Sequence, residues 1–181
     1  MADTLFSLAE GIRRCTACPL YKNRTLAVPG EGGVGARLML IGEAPGAQED
    51  RMGLPFVGRS GKFLDLMLQK IGLLRNEVFV TGACKCRPLD NRMPMHKELV
   101  MCRELWLNKQ IELVSARVVV LLGGAALWSV LGEKDVKKWH GRVVVRDARM
   151  YFVTYHPAAG MRFPAIRKIM ERDFEKLKKM V

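Results

Sequence analysis

Apolar residues recur along this chain in two spacings that alternate. Leu5, Leu8, Ala9 and Ile12 fall on one helical face and predict a helix over residues 4–14. Leu38, Met39, Leu40 and Ile41 form an unbroken apolar run that ends in GEAPG, the pattern of a buried strand and its turn. Phe63, Leu64, Met67, Leu68 and Ile71 return to helical spacing, and residues 78–81 predict the next strand. The alternation continues with a helix over 97–114, a strand over 118–122, a helix over 124–131 and a strand over 151–154. A final helix places Ile166, Ile169, Met170, Phe174 and Leu177 on one face, with Arg167, Lys168, Arg172, Lys176 and Lys178 largely elsewhere.

Short apolar strands separated by helices predict an α/β fold, a parallel sheet covered on both faces. Ligands of such sheets bind beyond the carboxyl ends of the strands. The segments GEAPG, GACKC and YHPAAG follow strands and are therefore expected to converge on one site. No repeat, low-complexity segment or Pro/Gly/Ser-rich linker divides residues 1–181, so a single domain is expected.

Thirty Lys and Arg against eighteen Asp and Glu give a formal charge of +12, which suits a polyanionic partner such as nucleic acid. No long apolar stretch is present and the N-terminal segment has acidic residues and no apolar signal region, so no membrane association and a cytoplasmic location are expected. Five cysteines in such a chain read as ligands or core residues rather than disulfides. Cys15 and Cys18 form C-x-x-C, and Cys86 and Cys102 stand much farther apart. Four thiolates suit zinc or an iron-sulfur cluster, and the wide second pair fits a zinc ribbon poorly. Cys84 lies two residues before Cys86, on the same face of an extended segment, and is an alternative ligand to it.

The segments GEAPGAQED, GLPFVGRSGKFLD, KCRPLDNRMP and YHPAAGMR, with the cysteine spacing, resemble the family 4 uracil-DNA glycosylases. The likeness runs from Cys15 to the C-terminal helix. It implies a three-layer α/β/α sandwich around a four-stranded parallel sheet, a [4Fe-4S] cluster on Cys15, Cys18, Cys86 and Cys102, and hydrolytic excision of uracil from DNA by a monomer. The cluster is expected to brace the KCRPLDNR segment rather than to react.

The same resemblance assigns roles. His156, between an apolar strand and Pro157, matches the histidine that acts on the uracil oxygen, and Phe56 the aromatic that stacks on the flipped base. Glu43 lies at a strand end where water or sugar approaches. Ala44 stands where related families carry a water-positioning aspartate, which leaves Glu43, Glu49 or Asn91 to guide the water. Gly42 and Gly46 let the turn come close to DNA. Gly82 stands where the family has an asparagine that reads the base edge. An altered base preference, toward hypoxanthine or mismatched thymine, is one consequence; a damage-binding protein without catalysis, lacking polar side chains at both Ala44 and Gly82, is another. Asn91 replaces the histidine of a covalently trapping relative, so turnover is expected. Lys85, Arg87, Arg92 and Arg162 flank these loops as phosphate contacts, with Arg162 also placed to fill the gap left by the flipped base. GRSGK is not a nucleotide-binding loop, since Phe56 and Phe63 occupy its glycine and hydroxyl positions. No lysine is placed to attack the sugar, so no lyase activity is expected. His96 and His140 have no such context and are read as structural.

Overall fold

The computed structural model describes residues 4–181. Strands β1 (Leu38–Gly42), β2 (Val78–Gly82), β3 (Val118–Leu122), β4 (Val143–Arg146) and β5 (Arg149–Thr154) form one sheet in the order β2-β1-β3-β5-β4. The four expected strands are parallel, and β4 adds an antiparallel edge beside β5. The expected four-stranded sheet is therefore corrected to five strands among the described residues. β4 lacks the buried run of the others, since its residues are exposed or half-exposed. Its hairpin turns at Asp147 and Ala148, both left-handed, without the glycine that would flag such a turn.

Alternation along the parallel strands explains the layers. Leu38, Leu40, Val78, Val80, Val120 and Phe152 face α3 (Arg59–Lys70) and α9 (Pro164–Lys178), whose Leu64, Met67, Met170 and Phe174 join the same core. Met39, Ile41, Phe79, Val119, Leu121 and Val153 face α1 (Leu5–Arg14), α4 (His96–Cys102), α5 (Asn108–Val114) and α6 (Gly124–Leu131). Both faces are buried, which is why these strands read as continuous apolar runs. Each buried Val, Leu, Ile or Phe contributes about 1.5–3 kcal/mol of transfer free energy.

The helix expected over 97–114 is interrupted: a wide π turn over Arg103–Leu107 joins α4 to α5. Short helices α2 (Ala47–Met52) and α7 (Val136–Trp139) lie where no element was expected, and α8 (Pro157–Arg162) where a loop was. No helix among the described residues is long and apolar enough to cross a membrane.

The register sets the site. Gly42 pairs with Gly82, so β1 and β2 end level, and β5 ends at Thr154 two strands away. The chain leaves these ends as Glu43–Gly46, Ala83–Arg87 and Tyr155–His156, all at the carboxyl edge of the sheet.

Candidate active site

A cleft of about 260 Å³ opens at this edge, lined by Glu43, Ala44, Gly46, Phe56, Gly82, Asn91 and His156, with Val28, Glu49 and Ser60 among the rest. The GEAPG and YHPAAG segments meet there, and Gly82 brings in the end of β2. Val28 and Ser60 carry no chemical signal in the sequence and enter only through the fold.

His156 is the N-cap of α8, and Pro157 is its first residue, where a missing N–H costs nothing. This segment reads as a loop in the sequence, and the His-Pro pair is the local signal of the helix that starts there instead. The Ala158 N–H donates to His156 Nδ1 at 3.2 Å. An Nδ1 that accepts is unprotonated, so the neutral ring carries its proton on Nε2. Burial pushes the His156 pKa down to about 4, with the charge of Glu49 opposing, and the ring is neutral at pH 7. Gly123, at φ 89°, lets β3 pass close behind it: a Cβ there would lie 2.9 Å from His156 Cβ.

Phe56 lies 5.8 Å from the His156 ring, centroid to centroid, inclined by 29°. Its backbone is left-handed, with φ 51°, an uncommon state for a bulky residue. Two glycines hold it. A Cβ on Gly61 would lie 1.6 Å from the Phe56 carbonyl oxygen, and one on Gly42 would lie 2.5 Å from Phe56 Cζ. The glycine of GRSGK thus serves the packing of Phe56.

The acidic residues divide. Glu49 is buried and accepts from the N–H groups of Gly58, at 2.8 Å, and Gly46, at 3.2 Å, so it ties the two loops that frame the cleft. Glu49, offered by the sequence as a guide for the water, thus has both oxygens engaged in the frame, and its spacing three residues after Gly46 is the local signal for that contact. The Glu43 carboxylate makes no hydrogen bond or ion pair to another described residue, and burial raises its pKa above the usual carboxylate value. Asn91 is left-handed at φ 54° and exposed, and its Oδ1 accepts from Arg87 Nε at 2.8 Å.

The basic residues are not equivalent. Arg162 is exposed at the end of α8. Arg92 forks onto the buried carboxylate of Glu98 at 2.7 and 2.9 Å, so its charge is already paired. Lys85 departs from the expectation of a phosphate contact: it is 2% exposed, and its ammonium donates inward to Thr81 Oγ1, the Gly82 carbonyl and Gln110 Oε1. The polar acceptors around it hold the lysine inside, away from any DNA surface. His96 packs on Trp128, and His140 faces Asp173 and Tyr155, outside the cleft.

Gly82 has no room for a side chain in this backbone. A Cβ there would lie 2.7 Å from the Cys84 carbonyl oxygen.

Cys15, Cys18, Cys86 and Cys102 line a second, separate pocket with Lys85, Leu105 and Trp106. They arrive from the end of α1, the turn after it, the segment after β2 and the end of α4. Cys84 is not among the lining residues, and it is buried in the core. Trp106, placed by the π turn, donates its indole N–H to Cys15 Sγ at 3.3 Å, and Arg24 donates to Cys86 Sγ at 2.9 Å. Donors aimed at sulfur suit thiolates held to a metal centre. Among the described residues no three Cys, His, Asp or Glu side chains stand close enough to share a single metal ion.

Residues 29–178 match the model of the uracil DNA glycosylase superfamily. The chain belongs to that superfamily. It is 40% identical over 188 residues to the type-4 uracil-DNA glycosylase of Sulfurisphaera tokodaii, covering 98% of this chain and 85% of that protein. It is 37% identical over 179 residues to the type-4 uracil-DNA glycosylase of Thermotoga maritima, covering 96% of this chain and 93% of the other. A type-5 uracil-DNA glycosylase of Thermus thermophilus is 36% identical over a shorter 126 residues, 61% of this chain. The two type-4 proteins thus match this chain along nearly its whole length.

Proposed function

We propose that this chain removes uracil from DNA by hydrolysing the bond between the base and its deoxyribose. The observation that carries the reading is the neutral His156, whose Nδ1 is occupied by the Ala158 N–H and whose Nε2–H is left for the cleft beside Phe56. A base inside a duplex is out of reach of such a group, so the nucleotide must be flipped out of the stack. The flipped uracil stacks on Phe56. As the glycosidic bond breaks, its electrons collect on the uracil oxygens, and Nε2–H donates to the oxygen that gains the charge.

Water completes the reaction: its oxygen bonds to the sugar carbon, and its proton passes to Glu43, the unpartnered carboxylate of the cleft. Asn91, held by Arg87, is an exposed residue of the same cleft. No lysine lines the cleft, in keeping with a monofunctional glycosylase that leaves an abasic site. Gly42 and Gly46 keep the first turn close to the base, and Gly82, the register partner of Gly42, lines the cleft beside that turn. Arg87 and Arg162 contact DNA phosphates, with Arg92 a weaker contact because Glu98 already pairs it.

Cys15, Cys18, Cys86 and Cys102 would hold a [4Fe-4S] cluster, which supplies bracing for the segment after β2. The chain acts as one domain and a monomer, in the cytoplasm. The test is an oligonucleotide carrying uracil, hypoxanthine or mismatched thymine, incubated with the protein and then treated with alkali. Breakage at uracil ahead of the other two supports the reading; intact strands under conditions where the protein is bound would point to a damage-binding protein.

A further inference from the structure

The wall of the cleft formed by the end of β2 is gripped from its buried side. Lys85 spends all three ammonium protons there, on Thr81 Oγ1 at 2.7 Å, the Gly82 carbonyl at 2.7 Å and Gln110 Oε1 at 2.5 Å. Gln110 and Thr81 are themselves anchored on the Pro29 carbonyl. Lys85 forms no ion pair with a carboxylate among the described residues, and a cation buried without one is costly unless every proton is satisfied. Of the three groups it holds, Gly82 alone lines the cleft.

The strand pattern explains why Gly82 needs such a hold. Ala83 donates to the Gly42 carbonyl, while Val80 exchanges both backbone bonds with Glu31 on the outer side of β2. By alternation the Gly82 carbonyl points to that outer side, beyond the bridge to Glu31. The Lys85 ammonium takes the place of a neighbouring strand. Without that hold the Gly82–Ala83 peptide would be fixed on one side only, through the Ala83 N–H on Gly42, and glycine, the residue least restrained by its own sterics, would leave its carbonyl free to tilt.

We propose that Lys85 is a positioning residue for base recognition: it locks the Gly82 carbonyl and so fixes the wall against which the flipped base is held. The inference rests on the uracil-excision reading. The same side chain lines the cysteine pocket, so the lock joins that pocket to the cleft.

The test is a double-mutant cycle on steady-state uracil excision, with visible absorbance per chain and thermal melting measured on each protein. Lys85→Met should lower kcat/KM for uracil by about tenfold or more, chiefly through KM, while visible absorbance is retained. Gly82→Ala, whose Cβ must displace the Cys84 carbonyl, already disturbs this peptide. On that background Lys85→Met should add less than about threefold, because both changes act through one group. Losses that multiply, or Lys85→Met within about twofold of the parent, would overturn the inference. Should the methionine variant fail to fold, the same cycle with Lys85→Arg, which keeps the charge but not the three-way geometry, carries the same two outcomes. A parent protein inactive on uracil would refute the excision reading instead.

Discussion

The ring of Phe56 rests directly on Gly42, with Cζ 2.5 Å from where a Cβ on that glycine would stand. Gly42→Ala must therefore tilt the ring, and a tilted ring stacks poorly on a base. The expected outcome is a KM for uracil DNA raised by about tenfold, as for the loss of about 1.4 kcal/mol of stacking, with the melting temperature little changed. Gly61→Ala is different. Its Cβ would meet backbone, 1.6 Å from the Phe56 carbonyl oxygen, so the loop itself must move and soluble yield and melting temperature should both fall.

The pH profile separates two groups in the cleft. Glu43 acts as a carboxylate, and burial raises its pKa, so excision should fall as pH drops through a value above the ordinary 4.5. His156 acts as a neutral ring and stays neutral down to about pH 4. Glu43→Gln should lower the single-turnover rate by about 10²-fold and move the acid limb down toward that of the histidine. Rates measured from pH 4 to 8 on both proteins check this, and an unmoved limb would remove Glu43 from the chemistry.

Glu49 holds the loops of Gly46 and Gly58 together with one oxygen each. Glu49→Gln turns an NH2 group against one of those donors and should destabilise the protein by about 1–3 kcal/mol, read from urea or thermal unfolding. Loss of activity should follow loss of structure here, whereas Glu43→Gln should leave the unfolding transition in place.

The cysteines make a separate prediction. Cys86→Ser should reduce iron from about four per chain toward none, with loss of visible absorbance and a lower melting temperature. Cys84→Ala should keep the iron, since Cys84 does not line the cysteine pocket.

The parallel strands were legible because burial on both faces leaves an uninterrupted apolar run, as in Val118–Leu122. β4 was not, because its apolar run, Val143–Val145, is only three residues long between Arg142 and Arg146, and its turn at Asp147 and Ala148 uses left-handed residues other than glycine. Glu43, Phe56, Gly82, Asn91 and His156 were each visible as motif residues, and the fold brings them to one cleft. Lys85 was misplaced for a physical reason: a lysine beside arginines reads as surface charge, and only the fold shows Thr81, Gln110 and the Gly82 carbonyl closing around it. The part of Glu49 in joining Gly46 to Gly58 was half legible, since the contact to Gly46 is local and that to Gly58 depends on tertiary packing.

The most direct test compares the parent protein with His156→Ala on a single-uracil oligonucleotide, following free uracil by mass spectrometry and strand breakage after alkali. The account predicts stoichiometric release of uracil by the parent and a rate lower by about 10²-fold or more in the variant, with DNA binding retained. Equal rates in the two proteins, or no uracil released by the parent, would contradict it.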